Sequence, residues 1–166
     1  MNYKTKRLWS PWRMEYVKRE KEKGCIFCNK IKANNDEENL ILFRGKYSFI
    51  IMNLYPYNNG HIMIVPNRHI ADYELLTSDE RKEISDLTNS SIKIMKKNLK
   101  PGGFNIGMNI GSIGGAGIEH HIHQHIVPRW NGDTNFMPVV GHTKVMPDAL
   151  QGTYNDLKNE FINLKK

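Results

Sequence analysis

Four of the seven histidines of this chain fall between positions 120 and 125, and three of them alternate in His121-Ile122-His123-Gln124-His125-Ile126-Val127. Alternation at every second residue is the period of a β-strand. His121, His123 and His125 are therefore expected on one face, and Ile122, Gln124 and Ile126 on the other. A core gains nothing from three imidazoles that Val or Ile would not supply better, because each ring brings polar nitrogens that must be satisfied. The run asks for a sheet that presents one strand face to something the rings can bind or act on.

Two chemistries suit such a face. In one, the imidazoles ligate a metal. In the other, one imidazole attacks phosphorus and its neighbours supply protons and orientation. Neutral histidine is a competent nucleophile near neutral pH, its reference pKa being about 6.5. The displacement needs a neutral nucleophile beside a proton donor for the leaving group, and neighbouring histidines supply both. Just before the run lies Gly111-Ser112-Ile113-Gly114-Gly115-Ala116-Gly117. Glycines let backbone N–H groups approach phosphate closely, so Gly115 and Gly117 are candidate substrate contacts. No Gly-Lys-Ser/Thr follows, so the segment is not a P-loop, and a flexible connector is its plain alternative.

The only two cysteines, Cys25 and Cys28, stand as Cys-Ile-Phe-Cys. In a chain without an export signal this spacing points to metal or redox chemistry rather than a disulfide. The segment upstream is polar and charged, not the strand a thioredoxin-like site requires, which favours zinc. A closed tetrahedral site needs two further ligands, and His69 and His121 are the candidates. The plain alternative is a reduced, buried cysteine pair.

At 166 residues the chain fits one domain, and 39% apolar content supplies a core. The longest apolar stretches, Phe49 to Met52 and Ile62 to Val65, are far too short to span a membrane. Met1 to Lys18 is basic and aromatic with no continuous apolar stretch, so it is not read as a signal peptide, and the expected location is the cytoplasm. A net charge of +7 and a pI near 9.4 suggest an anionic partner. The clusters Lys18, Arg19, Lys21, Lys23 and Lys93, Lys96, Lys97, Lys100 read most simply as solvated faces and helix-dipole complements. A zinc-stabilised nucleic-acid-binding module is disfavoured, because the aromatic-plus-basic strand surface it needs is missing and the histidines would go unexplained.

Residues 1–24 read as an extension in which Trp9-Ser10-Pro11-Trp12-Arg13 could anchor to the domain or to a second subunit. Ala33 to Glu38 reads as a polar loop. Leu40 to Phe43 and Tyr47 to Met52 read as strands joined by a turn near Gly45. Asn58-Asn59-Gly60 is a turn, followed by a strand from His61 to Val65 that stops at Pro66. Thr77-Ser78-Asp79-Glu80 has the capping-box pattern, and Ile84, Leu87, Ser91, Met95 and Leu99 then recur at helical spacing up to Pro101-Gly102-Gly103. Phe104 to Asn109 and His121 to Val127 read as two more strands, and Tyr154 to Leu164 as a short terminal helix. Five short strands, one long helix and a short C-terminal helix predict an α+β fold with an antiparallel sheet.

The histidine run resembles the His-φ-His-φ-His-φ-φ signature (φ, apolar) of the histidine triad (HIT) superfamily, with Gln124 departing from the apolar consensus on the face away from the histidines. Asn53 followed by Gly60-His61-Ile62-Met63-Ile64-Val65-Pro66 is similar to that family's nucleoside-binding strand pair. Arg7 to Arg13 and Pro128 to Phe136 resemble the bacterial branch related to diadenosine tetraphosphate phosphorylases and fragile-histidine-triad hydrolases. The resemblance places a HIT domain at residues 25–166, C-terminal tail included. It implies an enzyme acting on the α-phosphate of dinucleoside polyphosphates, with no organic cofactor. His123 would be the nucleophile that forms a nucleotidyl-histidine, and His125 would contact the scissile phosphate and protonate the leaving group. His121 and His61 would orient His123. Asn53 matches the ribose-binding position and Asn109 the region that faces the phosphates. Zinc-bearing members use the set that corresponds to Cys25, Cys28, His69 and His121, and His121 would then be structural. A homodimer or larger homo-oligomer is also implied. The competing readings are an adenosine phosphoramidate hydrolase of the same superfamily and a metal-dependent hydrolase with the histidine strand as its zinc ligands.

Overall fold

The computed structural model describes residues 24–133 and 150–165. The Trp9–Trp12 arm lies outside the described residues, as does the end of the Pro128 to Phe136 segment beyond Asp133.

The first described element is a helix, Ile26–Lys32 (α1). The strands are Ile41–Arg44 (β1), Ser48–Met52 (β2) and Ile62–Pro66 (β3). A long helix, Ser78–Asn98 (α2), precedes Gly103–Met108 (β4) and Gln124–Arg129 (β5). Leu150–Ile162 (α3) follows. The sheet is antiparallel throughout, in the order β1-β2-β3-β5-β4. The predicted α+β architecture with five strands is the observed one.

Every residue of β2 and β3 is buried, because the central strands are covered on both faces. Period-2 alternation divides their side chains into two cores. Ile50, Met52, Ile62, Ile64, Ile122 and Ile126 point to the α2–α3 side, against Ile84, Leu87, Met95, Leu157 and Phe161. Phe49, Ile51, Met63 and Val65 point to the other side, against Phe27 of α1. The predicted second face of the histidine run is thus observed: Ile122 and Ile126 enter the larger core, and Gln124 Nε2 donates to Thr88 Oγ1 of α2 at 2.6 Å.

Helix α2 starts where the capping box predicts. Thr77 accepts from the Glu80 backbone N–H, and the Glu80 side chain accepts from the Thr77 N–H. Glu83 of the same helix accepts from the backbone N–H groups of Lys46 and Tyr47, which ties the β1–β2 turn to α2. The turn at Asn58-Asn59-Gly60 is equally fixed. Gly60 has φ +69, a backbone conformation that favours glycine, while a Cβ there would crowd the Leu99 Cδ1 methyl, which can move aside.

Four boundaries differ from the sequence reading. The last strand begins at Gln124 rather than His121, so His121 and His123 belong to the segment entering it. Pro66 closes β3 rather than stopping it beforehand, pairing with Ser48 at the strand end, where a missing N–H is tolerated. Helix α1 has no counterpart in the sequence reading, which places only a polar loop at Ala33 to Glu38 behind the cysteine pair. It is seven residues long, below what local propensity alone sustains, and depends on tertiary contacts. Helix α3 begins at Leu150, upstream of Gly152, because Thr153, Tyr154, Leu157 and Phe161 bury a helical stripe that outweighs the glycine.

Candidate active site and metal centre

His61, His69, His121, His123 and His125 divide between two adjacent clusters on the α1 side of the sheet. The ring of Phe27, buried in α1, stands between them, 5.4 Å from the His121 ring and 5.1 Å from the His123 ring.

In the first cluster, Cys25 is the N-cap of α1 and Cys28 lies in its first turn. His69 follows β3, and His121 leads into β5. Cys25 Sγ lies 3.3 Å from His121 Nδ1, and Cys28 Sγ lies 3.3 Å from His69 Nδ1 and 3.6 Å from His121 Nδ1. All four donor atoms fall within 4.8 Å of one another. A tetrahedral zinc with Zn–S near 2.3 Å and Zn–N near 2.05 Å has edges of roughly 3.3–3.8 Å, so the donor set and its spacing fit. The tautomer fits as well: His121 Nε2–H donates to the Pro66 carbonyl at 2.9 Å, which leaves the Nδ1 lone pair facing the sulfurs. Burial raises the Cys28 thiol above its ordinary value, and Cys25 adds to the rise. A redox thiol at a helix N-terminus would be shifted the opposite way. These four residues could therefore hold a metal, and they are the four that the sequence put forward.

The second cluster is built on strand pairing. Met63 of β3 sits opposite His125 of β5, which brings His61, one turn of pleat before Met63, onto the same face. His61 is completely buried, and His123 nearly so. Backbone groups fix the tautomers in sequence. The Tyr57 N–H donates to His61 Nδ1 at 3.1 Å, with Asn53 Nδ2 at 3.3 Å from the same atom. The proton of His61 is therefore on Nε2, which donates to His125 Nδ1 at 2.9 Å. His125 in turn must carry its proton on Nε2. His123 is set the other way: its Nδ1–H donates to the His121 carbonyl at 2.9 Å, leaving Nε2 with a free lone pair. One cleft thus contains an imidazole lone pair and, on the neighbouring ring with centroids 4.8 Å apart, an imidazole N–H.

Electrostatics support uncharged rings. Burial, reinforced by His125 and His123, lowers His61 to about 3. Burial and then His123 lower His125 to about 4. Burial also pulls His123 below its ordinary value, against the opposing hydrogen bond to the His121 carbonyl.

The cleft that opens from His123 and His125 is lined by Asn53, Asn109, Gly115 and Gly117, so all four sequence-predicted substrate contacts meet there. Asn109 Nδ2 donates to the Gly115 carbonyl at 3.3 Å, fastening the glycine segment beside the histidines. Asn53 Oδ1 accepts from the Tyr55 N–H at 2.9 Å. The remaining wall includes Ile26, Phe27, Lys30, Leu54, Tyr55, Tyr57 and Ile118. None of these was singled out from sequence. Phe27 was visible only as a spacer in the cysteine motif, and helical spacing of Ile26, Phe27 and Lys30 was the signal available. Tyr57 contributes both its N–H and a half-exposed ring 4.8 Å from the His61 ring.

Two expectations are corrected. The His61 ring reaches His125, not His123, because strand register sets it opposite the end of the triad. The side chain of His121 does not orient His123 either; its carbonyl does, while its ring turns to the cysteines. The strand histidines consequently do not converge on a common point, as a shared catalytic zinc would require. Among the described residues the cluster able to hold a metal contains only His121 of the three.

A cleft that holds two buried, oppositely protonated histidines, placed on this five-stranded sheet, defines the class. Residues 34–132 match the HIT domain family, and the chain belongs to that family of nucleotide hydrolases and transferases; it is an enzyme. It is 40% identical over 163 residues to an AP-4-A phosphorylase of Mycobacterium tuberculosis, covering 93% of this chain and 84% of the relative. It is also 29% identical over 110 residues to an adenosine 5'-monophosphoramidase of Candida albicans, covering 64% of this chain and 70% of the relative. Among solved structures, a hypothetical histidine triad nucleotide-binding protein of Sulfolobus tokodaii superposes with a TM-score of 0.68 at 25% identity, covering 85% of this chain and 94% of that one. A zinc-bound histidine triad family protein of Mycobacterium smegmatis has the same fold, with a TM-score of 0.69 at 21% identity over 86% of this chain and 96% of that one.

Proposed function

We propose that this chain is a dinucleoside polyphosphate phosphorylase that works through a nucleotidyl-histidine on His123. The observation that carries the reading is the opposed tautomers of His123 and His125 in one cleft. His123 Nε2 attacks the α-phosphorus, and an N–P bond forms as the bond from phosphorus to the bridging oxygen breaks. The electron pair leaves on that oxygen, which the His125 Nε2–H meets as charge develops. With diadenosine tetraphosphate, ATP departs and AMP stays on His123. An oxygen of inorganic phosphate then attacks the same phosphorus. The N–P electron pair returns to Nε2, and ADP leaves. Water in place of phosphate would release AMP.

In this reading Asn53 meets the ribose hydroxyls, while Asn109, Gly115 and Gly117 meet the phosphates. His61 holds His125 in its donating tautomer, with the Tyr57 N–H behind it. Zinc on Cys25, Cys28, His69 and His121 would cross-link the start of α1 to the segment entering β5 and carry no chemistry of its own. The enzyme works as a homo-oligomer in the cytoplasm. Among the described residues no helix is long and apolar enough to cross a membrane.

Phosphorolysis rather than hydrolysis is supported by the 40% identity to the M. tuberculosis phosphorylase. The test is product analysis with diadenosine tetraphosphate, with and without inorganic phosphate. ADP plus ATP formed only with phosphate is the expected result. AMP plus ATP without phosphate would replace phosphorylase by hydrolase. Turnover of adenosine phosphoramidate alone would favour the chemistry named for the Candida relative.

A further inference from the structure

Helix α1 supplies Cys25 and Cys28 to the metal centre and Ile26, Phe27 and Lys30 to the cleft, yet it is seven residues long. Its N-terminal end is held by the cysteine–histidine cluster. What holds the other end is Arg44, the last residue of β1. Its guanidinium spans three acceptors: Nη1 donates to the Ile31 carbonyl at 2.6 Å, Nη2 to the Ala33 carbonyl at 2.9 Å, and Nε to Asp36 Oδ1 at 2.8 Å. Two of these are carbonyls at the C-terminal end of α1, where the helix leaves acceptors without internal partners. Asp36 is gripped again from α3, where Lys158 Nζ lies 3.3 Å from Asp36 Oδ2 and donates to the Ile41 carbonyl at 2.7 Å. Arg44 is about a quarter exposed, at 28%, so its bonds are partly shielded from water.

We propose that Arg44 is a positioning residue for the nucleotide cleft and the metal centre, acting through α1, with Asp36 and Lys158 as its outer support. The planar fork matches two carbonyls and a carboxylate at once, which a lysine ammonium on a flexible stem cannot reproduce. Without the clamp, the C-terminal end of α1 loses the polar anchors at the Ile31 and Ala33 carbonyls and is left chiefly to the apolar packing of Phe27 and Ile31. The Phe27 ring then shifts relative to His123, and the sulfurs shift relative to His69 and His121. The cleft role rests on the nucleotide reading above; the metal role stands without it.

The test uses the full-length zinc-loaded protein and reads AMP dissociation constant, steady-state KM and kcat, and the rate of zinc release to a chromogenic chelator. Arg44→Lys is expected to raise both the AMP dissociation constant and KM by about tenfold, with kcat within about twofold, and to speed zinc release by a similar factor. Lys158→Met, which leaves Arg44 in place, should move the same quantities in the same direction by less. Lys97→Met is the control. It breaks the Lys97–Glu160 pair between α2 and α3, on the other side of the sheet, and should leave AMP binding and zinc release unchanged. Unchanged AMP binding and zinc release in Arg44→Lys would overturn the inference, as would equal losses in Lys97→Met. Wild-type protein that binds AMP but leaves the dinucleotide intact would overturn the proposed reaction and not this one.

Discussion

His121 and His123 are two residues apart and both buried, yet they face different chemistry. The Nε2 of His121 is tied to the Pro66 carbonyl, and its Nδ1 looks at two sulfurs. The Nδ1 of His123 is tied to the His121 carbonyl, and its Nε2 looks into the cleft. Identical side chains keep different nitrogens free because the backbone takes a different one from each, which suits His121 to hold a metal and His123 to attack in the proposed reaction. The residue types were set by the sequence, but the assignment of lone pairs was made by carbonyls contributed from β3 and from the turn into β5. The same holds for His125, whose donating nitrogen is decided by His61 and, behind it, by the Tyr57 N–H.

That division can be broken from either side. The largest effect is expected for His123→Ala: turnover falls by about 10⁴-fold or more, while metal content is unchanged and Tm stays within about 5 °C of wild type. Retained activity in that variant would end the nucleotidyl-histidine route. Cys28→Ser should do the reverse. Metal content measured by mass spectrometry falls to a small fraction of wild type, and Tm drops by about 10 °C. Unchanged zinc stoichiometry would mean the four donors are not the site.

The next effect sharpens the tautomer argument. His61→Ala removes the donor to His125 Nδ1 and should lower kcat by about 10–100-fold, with KM little changed and zinc retained. A variant whose kcat matches wild type would show that His125 keeps its tautomer unaided. Acid should act on the same pair. His61 and His125 sit well below their ordinary value in the folded protein, at about 3 and about 4. Between those values and about 6.5 the unfolded chain binds more protons than the folded one, so stability rises with pH across that window and falls on acidification. Urea midpoints should therefore decline from about pH 6.5 towards pH 4, less steeply in His61→Ala. A flat profile would contradict the buried, neutral pair.

The smallest effect belongs to the opposite face of the sheet, where packing rather than polar pairing dominates. Thr77→Ala removes half of the capping box of α2 and should cost about 1 kcal/mol in urea unfolding, with turnover and zinc content unchanged. A loss of activity there would mean that the two faces are coupled.

Much of this molecule was legible in its sequence because the relevant signals are local. The capping box marked the start of α2 to the residue, since it depends on atoms three positions apart. The alternation of His121 to Val127 separated the two faces correctly, with Ile122 and Ile126 in the core. Cys25, Cys28, His69 and His121 were brought together by reading ligand chemistry, and they meet in the fold. Helix α1 was not legible, because a seven-residue segment has too little propensity to declare itself and is held by Arg44 and the cysteine cluster. The strand start at Gln124 was also missed. Periodicity cannot distinguish a strand from an extended approach to one, and pairing with Ile64 and Met108 begins only there.

The sequence by itself determined the residue types of both clusters, the two-faced strands and the class of chemistry those residues can perform. These follow from side-chain identity and from the short-range geometry of helix and strand. The tertiary structure alone decided that His61 serves His125 rather than His123, that Tyr57 and Phe27 belong to the site, and which nitrogen of each ring is free. Those outcomes depend on strand register and on backbone carbonyls and N–H groups far apart in the chain, which no local pattern encodes.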